Sequence, residues 1–97
     1  MEVRFKDDSL DRLVKEKDDG SRPAAVVKAY RHRLQQIRSA RDERDLRAMG
    51  SARLEKLKGR RKGQWSMRLN KQWRLILEFE GQGTDKAVVV VEITDYH

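Results

Sequence analysis

Three side chains that can exchange protons stand in a row at the end of the segment VEITDYH. Asp95, Tyr96 and His97 carry a carboxylate, a phenol and an imidazole. An imidazole has an ordinary pKa of about 6.5, so His97 is the best single candidate for a general acid or base at neutral pH. Asp95 can orient that imidazole or accept a proton itself. The types and order of these residues predict proton-transfer chemistry here, and the alternative is a frayed, inactive chain end.

Positive charge is concentrated between residues 53 and 74. This segment has nine basic residues and one acidic residue, a net charge of +8 in a chain whose total is +7. Such a local field favours a polyanionic partner and is typical of a nucleic-acid footprint. Within it, the loop KGRRKG places Arg60, Arg61 and Lys62 between two glycines. Contacts from such a loop to phosphate groups give affinity without sequence choice. The alternative is a basic surface without a partner.

Composition excludes several classes of site. The 97 residues include no cysteine, which excludes disulfides and thiolate catalysis and favours a reducing cytoplasm. His32 and His97 do not form a metal-ligand pattern, and neither a phosphate-binding P-loop nor a nucleophile elbow is present. The acidic N-terminal segment and the lack of a long apolar run predict neither a signal peptide nor a membrane span. We expect one domain, residues 1–97, with a small core, because only 37% of the residues are hydrophobic.

Two hydrophobic periods divide the chain into a helical half and a sheet half. EVRF (2–5) alternates as a short strand does, and a short amphipathic helix is predicted after it. The helix that follows Pro23 carries one apolar stripe of Val27, Tyr30, Leu34 and Ile37. From residue 65 onward the period is two, with turns at 70–72 and 81–86 and an apolar strand at 87–93. This pattern predicts an α+β fold with the N-terminal helices packed on one face of a small antiparallel sheet.

Strand alternation separates a core face from an open face. Arg68 and Arg74 fall on the open face if their apolar neighbours pack against the helices, and Trp65 and Trp73 then belong to the core. We therefore expect the open face to display arginines beside the C-terminal acid and base groups. The alternative for Arg74 is a surface salt bridge to Glu78 or Glu92.

Several motifs in the second half resemble the HigB-type toxins of bacterial toxin–antitoxin pairs, within the RelE/ParE superfamily. The similarity rests on LxxLKG at 54–59, GxWS at 63–66, RxNxxWR at 68–74 and the terminal DYH. The resemblance implies a microbial RNase fold of the RelE type and cleavage of mRNA, usually while it is translated on the ribosome. It also implies a cognate antitoxin, commonly a small HigA-like helix-turn-helix protein, and a location in the bacterial cytoplasm. Neither a metal nor another cofactor is implied.

The same resemblance assigns catalytic roles. Functional positions of the family correspond here to Lys58, Arg74, Asp95, Tyr96 and His97. Cleavage that uses the ribose 2′-hydroxyl as nucleophile needs proton transfer and stabilisation of negative charge on phosphorus. A lysine and an arginine suit the second task, and the terminal triplet suits the first, with acid and base left unassigned. Tyr96 can also stack on a nucleobase.

The sequence leaves two points open, the role of one carboxylate and the choice between rival functions. Many members of the family carry a histidine where this chain has Glu55, so the role of that residue is undecided. The chain is expected to bind RNA through Arg60, Arg61, Lys62, Arg68 and Lys71. The rival hypotheses are a toxin of the same superfold that binds a protein such as DNA gyrase without cleaving RNA, and a plain RNA-binding protein.

Overall fold

The computed structural model describes residues 1–15, 22–82 and 85–95. A short strand, β1 (Glu2–Phe5), precedes three helices: α1 (Asp8–Lys15), α2 (Ala24–Ser39) and α3 (Glu43–Arg47). Four strands follow: β2 (Glu55–Lys56), β3 (Trp65–Arg68), β4 (Trp73–Glu80) and β5 (Ala87–Asp95). Two 3-10 turns, Gly50–Ala52 and Gly59–Arg61, lie on either side of β2.

The five strands form one sheet in the order β1-β5-β4-β3-β2. Strands β2 to β5 form the predicted antiparallel meander, whereas β1 pairs in parallel with β5. The α+β prediction is confirmed, and the sheet is mixed rather than purely antiparallel. The helices lie between β1 and β2 along the chain, so β1 reaches the opposite edge of the sheet and runs in the same direction as β5. The two-residue strand β2 was not predicted, because it is too short to show an alternating pattern.

Helix α2 packs into the core through Tyr30, Leu34 and Ile37 of the predicted apolar stripe, together with Val26. Val27, Tyr30, Leu34 and Ile37 are all buried, and the hydroxyl of Tyr30 donates a hydrogen bond of 2.7 Å to the carbonyl of Leu10 in α1. The sheet contributes to the core the residues of β3, β4 and β5 that face the helices, namely Met67, Leu75, Leu77, Val88, Val90 and Ile93. As predicted, Trp65 and Trp73 pack against this core. No helix in the described ranges is long and apolar enough to cross a membrane.

The turn between β3 and β4 is built by Asn70. Its side-chain oxygen accepts hydrogen bonds from the backbone amides of Gln72 and Trp73, at 2.9 and 2.8 Å. Such an Asx turn is a local device that asparagine favours, and it confirms the predicted turn at 70–72. Because the turn sets the register, it decides which residues of β3 and β4 face each other.

Candidate active site

Two arginines oppose each other at the end of β3 and the start of β4. Arg68 and Arg74 are register partners on the open face, the sheet face that points away from the helices. Both guanidinium groups donate to the carbonyl oxygen of Asn70, at 3.2 Å from Arg68 Nε and 2.9 Å from Arg74 Nη1. Like charges that are direct cross-strand neighbours repel, so an anion bound beside them is stabilised by both. The turn therefore presents a preformed pair of cations for a phosphate group.

Three carboxylates elsewhere on the open face are matched by cations. Glu80 pairs with Arg4 at 2.9 Å, and Glu78 lies 3.9 Å from the ammonium of Lys6. Arg61 forms an ion pair with Glu92. The two carboxylates considered as partners of Arg74 are thus held by other side chains. The guanidinium groups of Arg68 and Arg74 lie together at the end of this face that carries the turn.

Asp95 lies at the exposed end of β5. The register pairs it with Trp73, whereas Thr94 is the partner of Arg74. Its carboxylate therefore leaves the sheet on the core side and accepts a hydrogen bond of 2.8 Å from the amide of Gln72. This corrects the expectation that Asp95 stands on the open face with the arginines. It stands one residue along β5 from Thr94, the partner of Arg74.

Tyr96 and His97 fall outside the described residues. Their assigned roles in stacking and proton transfer stay predictions. The described strand β5 runs up to Asp95, directly before them.

Lys58 opens the basic loop, residues 58–63. Gly59 and Gly63 have φ values of +67° and +89°, a backbone conformation in which a side chain is strained, so the two glycines let the loop reverse sharply. The amide of Leu57 donates 3.0 Å to the carbonyl of Gln64 and closes the base of the loop. Lys58 is exposed, and its ammonium has no hydrogen-bond or ion-pair partner within residues 1–15, 22–82 and 85–95. It is available to an anion.

The five predicted RNA-binding residues fall into three groups. Arg60, Lys62 and Lys71 are exposed, and Arg68 belongs to the arginine pair. Arg61 differs, because its guanidinium donates to Glu92 and, at 3.0 Å, to the side-chain oxygen of Gln64. The sequence places these residues in one run of charge, and only the fold distinguishes the one whose guanidinium pairs with a carboxylate of β5.

Glu55 is exposed and stands on the open face, where sequence reasoning left its role undecided. It is the register partner of Ser66 on β3. The same cross-strand row continues from Ser66 to Ile76 on β4 and from Ile76 to Glu92 on β5. Glu55 precedes Lys58 by three positions in the chain. Its cross-strand row is the next one along this face from the row of Arg68 and Arg74. A carboxylate in this place can accept a proton from a hydroxyl of a bound substrate.

Two concavities of about 330 and 380 Å³ lie near the N-terminus and along α3, and none of the predicted site residues lines them. Across the described residues, no group of three or more histidine, aspartate or glutamate side chains is arranged to hold a metal ion. The exposed cations Lys58, Arg60, Lys62 and Lys71 suit contacts with a long polyanion.

Comparison with known proteins agrees with this architecture. The sequence profile described as the RelE-like toxin of the type II toxin-antitoxin system HigB matches residues 3–97. Toxin HigB-1 of Vibrio cholerae serotype O1 is 37% identical over 79 residues, which cover 81% of this chain and 75% of that protein.

Solved structures show the same fold at low sequence identity. The YoeB/ParE toxin from Agrobacterium tumefaciens has a TM-score of 0.62 at 18% identity, with both chains fully covered. A chain of the YoeB-YefM complex from Staphylococcus aureus has a TM-score of 0.62 at 21% identity, with 100% of this chain and 97% of that chain covered. The profile and the relative from Vibrio cholerae span both halves of the fold. This chain therefore belongs to the HigB-like family of RelE-like toxins of type II toxin–antitoxin systems.

Proposed function

We propose that this toxin is an endoribonuclease that cleaves mRNA during translation on the ribosome, in the bacterial cytoplasm. Membership of the HigB-like toxin family supports a toxic activity. The observation that carries the nuclease proposal is the opposed pair Arg68 and Arg74, whose guanidinium groups share one carbonyl acceptor on the sheet face that points away from the helices. Such a pair binds and polarises a phosphodiester, which a purely protein-binding toxin does not require.

The proposed reaction is an intramolecular transesterification in which the 2′-oxygen displaces the 5′-oxygen from phosphorus. The ribose 2′-oxygen loses its proton and attacks the adjacent phosphorus, the bond from phosphorus to the 5′-oxygen breaks, and that oxygen is protonated. The products are a 2′,3′-cyclic phosphate and a 5′-hydroxyl end. The reaction exchanges one phosphorus–oxygen bond for another and transfers protons, without oxidation or reduction. We propose that this chain carries it out without a metal.

Side-chain chemistry distributes the tasks. The ammonium of Lys58 and the guanidinium of Arg74 oppose the negative charge that develops on the phosphoryl oxygens. Asp95, Tyr96 and His97 orient the substrate and transfer protons. Glu55 is an additional proton acceptor on the same face as the arginines. The exposed cations Arg60, Lys62 and Lys71 contact the RNA backbone.

A cognate antitoxin neutralises the toxin in this proposal, and a HigA-like helix-turn-helix protein is the proposed partner. The description of the family profile names a toxin–antitoxin system. In the structural relative from Staphylococcus aureus, the toxin YoeB is found in a complex with YefM.

Expression of the toxin in bacteria, with mapping of mRNA 5′ ends, tests the nuclease proposal. We expect new 5′-hydroxyl ends in translated regions, and we expect Asp95→Ala with His97→Ala to remove them while antitoxin binding and folding persist. A reaction with purified ribosomes, mRNA and a chelator tests metal independence. Growth arrest with intact transcripts would refute the nuclease and favour the protein-binding alternative, which an assay of DNA gyrase supercoiling would then examine.

A further inference from the structure

The basic loop is tied to the sheet by a network of four side chains. Arg61 forms an ion pair with Glu92 on β5 and donates a hydrogen bond of 3.0 Å to the side-chain oxygen of Gln64. The side-chain amide of Gln64 in turn donates a hydrogen bond of 3.2 Å to the carboxylate of Glu78 on β4. We call Arg61, Gln64, Glu78 and Glu92 the clasp. Strand β3 immediately follows the loop, so the guanidinium of Arg61 reaches past β3 and β4 to contact β5.

Two residues of β3 and β4 are buried where the side chain of Arg61 passes over them. Ser66 and Ile76 point to the open face, yet only 2% and 0% of their surfaces are exposed. Both stand in the same cross-strand row as Glu92. An isoleucine on a solvent-facing row is fully covered only when other side chains lie over it, and Arg61 crosses this row on its way to Glu92. The clasp therefore closes the middle of the open face.

Backbone hydrogen bonds of the loop do not attach it to β4 or β5. The amides of Arg61, Lys62 and Gln64 donate to the carbonyls of Lys58, Gly59 and Arg61, at 3.4, 3.1 and 2.9 Å. These bonds lie within the loop and its stem. Among the described contacts, the side chains of the clasp are the hydrogen-bonded links from the loop to the far strands.

We propose that Arg61 is a positioning residue rather than an RNA contact. Through the clasp it fixes the basic loop over the sheet and so holds Lys58 at a set place relative to Arg68 and Arg74. This inference rests on the proposed nuclease function, because it concerns the placement of a catalytic lysine. It replaces the assignment of Arg61 to RNA binding, which came from charge alone.

The variant Glu92→Gln separates the two roles by the sign of its effect. If Arg61 contacts RNA, removing a neighbouring carboxylate leaves cleavage unchanged or raises it, since one repulsive charge is lost. If Arg61 holds the loop, the weakened clasp misplaces Lys58, and we expect kcat to fall about 10- to 100-fold with little change in KM. Measured cleavage equal to or above that of the wild type would overturn the proposal.

Charge exchange provides the sharper test. Arg61→Glu alone is expected to be inactive under either role. Combined with Glu92→Arg, the reversed ion pair re-forms the clasp, and we expect at least about 10-fold recovery of kcat. The matched control is Arg60→Glu combined with Glu92→Arg, which makes the same change of charge without restoring the pair and is expected to show no recovery. Failure of the exchanged pair to exceed the control would argue for an RNA contact.

Amide hydrogen exchange reports on the clasp without any nuclease assay. In Glu92→Gln we expect the amides of Lys62 and Gln64 to exchange about 5-fold faster, because the loop opens more often, while amides in the middle of β4 keep their wild-type rates. Unchanged exchange in the loop would overturn the clasp. Faster exchange in a protein whose wild type does not cleave mRNA would support the clasp and refute the proposed function instead.

Discussion

Replacing Arg33 with methionine is expected to destabilise the protein more than any change to an exposed arginine. Arg33 lies on α2 and is only 9% exposed. Its guanidinium donates to the carbonyls of Arg68 and Ser51, at 3.0 and 3.1 Å, and to the side chain of Gln36 at 2.8 Å. It therefore joins α2, the 3-10 turn Gly50–Ala52 and the end of β3.

The magnitude follows from these three hydrogen bonds. Bonds from a charged donor contribute about 1.5–3 kcal/mol each, and burying the guanidinium offsets part of that gain. The same burial lowers the pKa of Arg33. Methionine fills a similar volume but leaves two carbonyls without this donor, so we expect the free energy of unfolding to fall by about 3 kcal/mol. Arg33→Lys keeps the charge but cannot reach three acceptors, and we expect a loss of about 2 kcal/mol.

Urea denaturation followed by tryptophan fluorescence measures this loss. With a denaturant slope of about 1.5 kcal/mol per molar, the midpoint of Arg33→Met should fall by about 2 M. Arg38→Met on the same helix is the matched control, since that side chain is exposed, and we expect a change within about 0.5 kcal/mol. If the two variants unfold at the same midpoint, the bridging role of Arg33 is refuted.

Four further outcomes are expected. Arg74→Ala should lower kcat about 100-fold in the ribosome cleavage assay. Arg74→Lys should recover only part of this loss, because a lysine lacks the planar fork that holds two phosphate oxygens. Equal activity of the wild type and both variants would contradict the proposed role of Arg74. Arg60→Glu with Lys62→Glu should weaken co-sedimentation with ribosomes at low salt and flatten its salt dependence, whereas Lys28→Glu on the opposite side of the fold serves as the control. Glu55→Gln should reduce kcat about 10-fold and Glu55→His should retain more activity, a result that a pH profile would check. Burial raises the pKa of the Tyr30 phenol, so this phenol ionises first in the unfolded state, and the free energy of unfolding should fall as the pH rises above about 10. Tyr30→Phe should remove this pH dependence and should lower the free energy of unfolding by about 1 kcal/mol at neutral pH, because its hydrogen bond is lost. Unfolding curves recorded at neutral and alkaline pH would show both effects.

The elements of the fold were largely predictable because their signals are local. The stripe of Val27, Tyr30, Leu34 and Ile37 repeats with the helical period, and all four side chains are buried. Alternation placed Trp73 against the core and Arg74 on the open face in the same way. Strand β1 was predicted, but its parallel pairing depends on the path of the helices between it and the meander.

The candidate site was only partly predictable. The opposition of Arg68 and Arg74 follows from a short turn whose geometry Asn70 sets within the sequence itself. The ion pair of Arg61 with Glu92 does not follow from the sequence, because Arg60, Arg61 and Lys62 are alike in charge and context. Glu92 distinguishes Arg61 from its neighbours, and it lies 31 residues away along the chain.

By itself the sequence determined the periodic elements, the concentration of positive charge and the family motifs, since each depends on residues close together along the chain. Tertiary structure alone decided that Asp95 leaves β5 on the face opposite Arg74, that Arg33 is buried, and that Arg61 closes a clasp over the sheet. These outcomes depend on strand register and on contacts between distant segments. Such contacts form only when the whole core packs, so no local pattern of residue types records them.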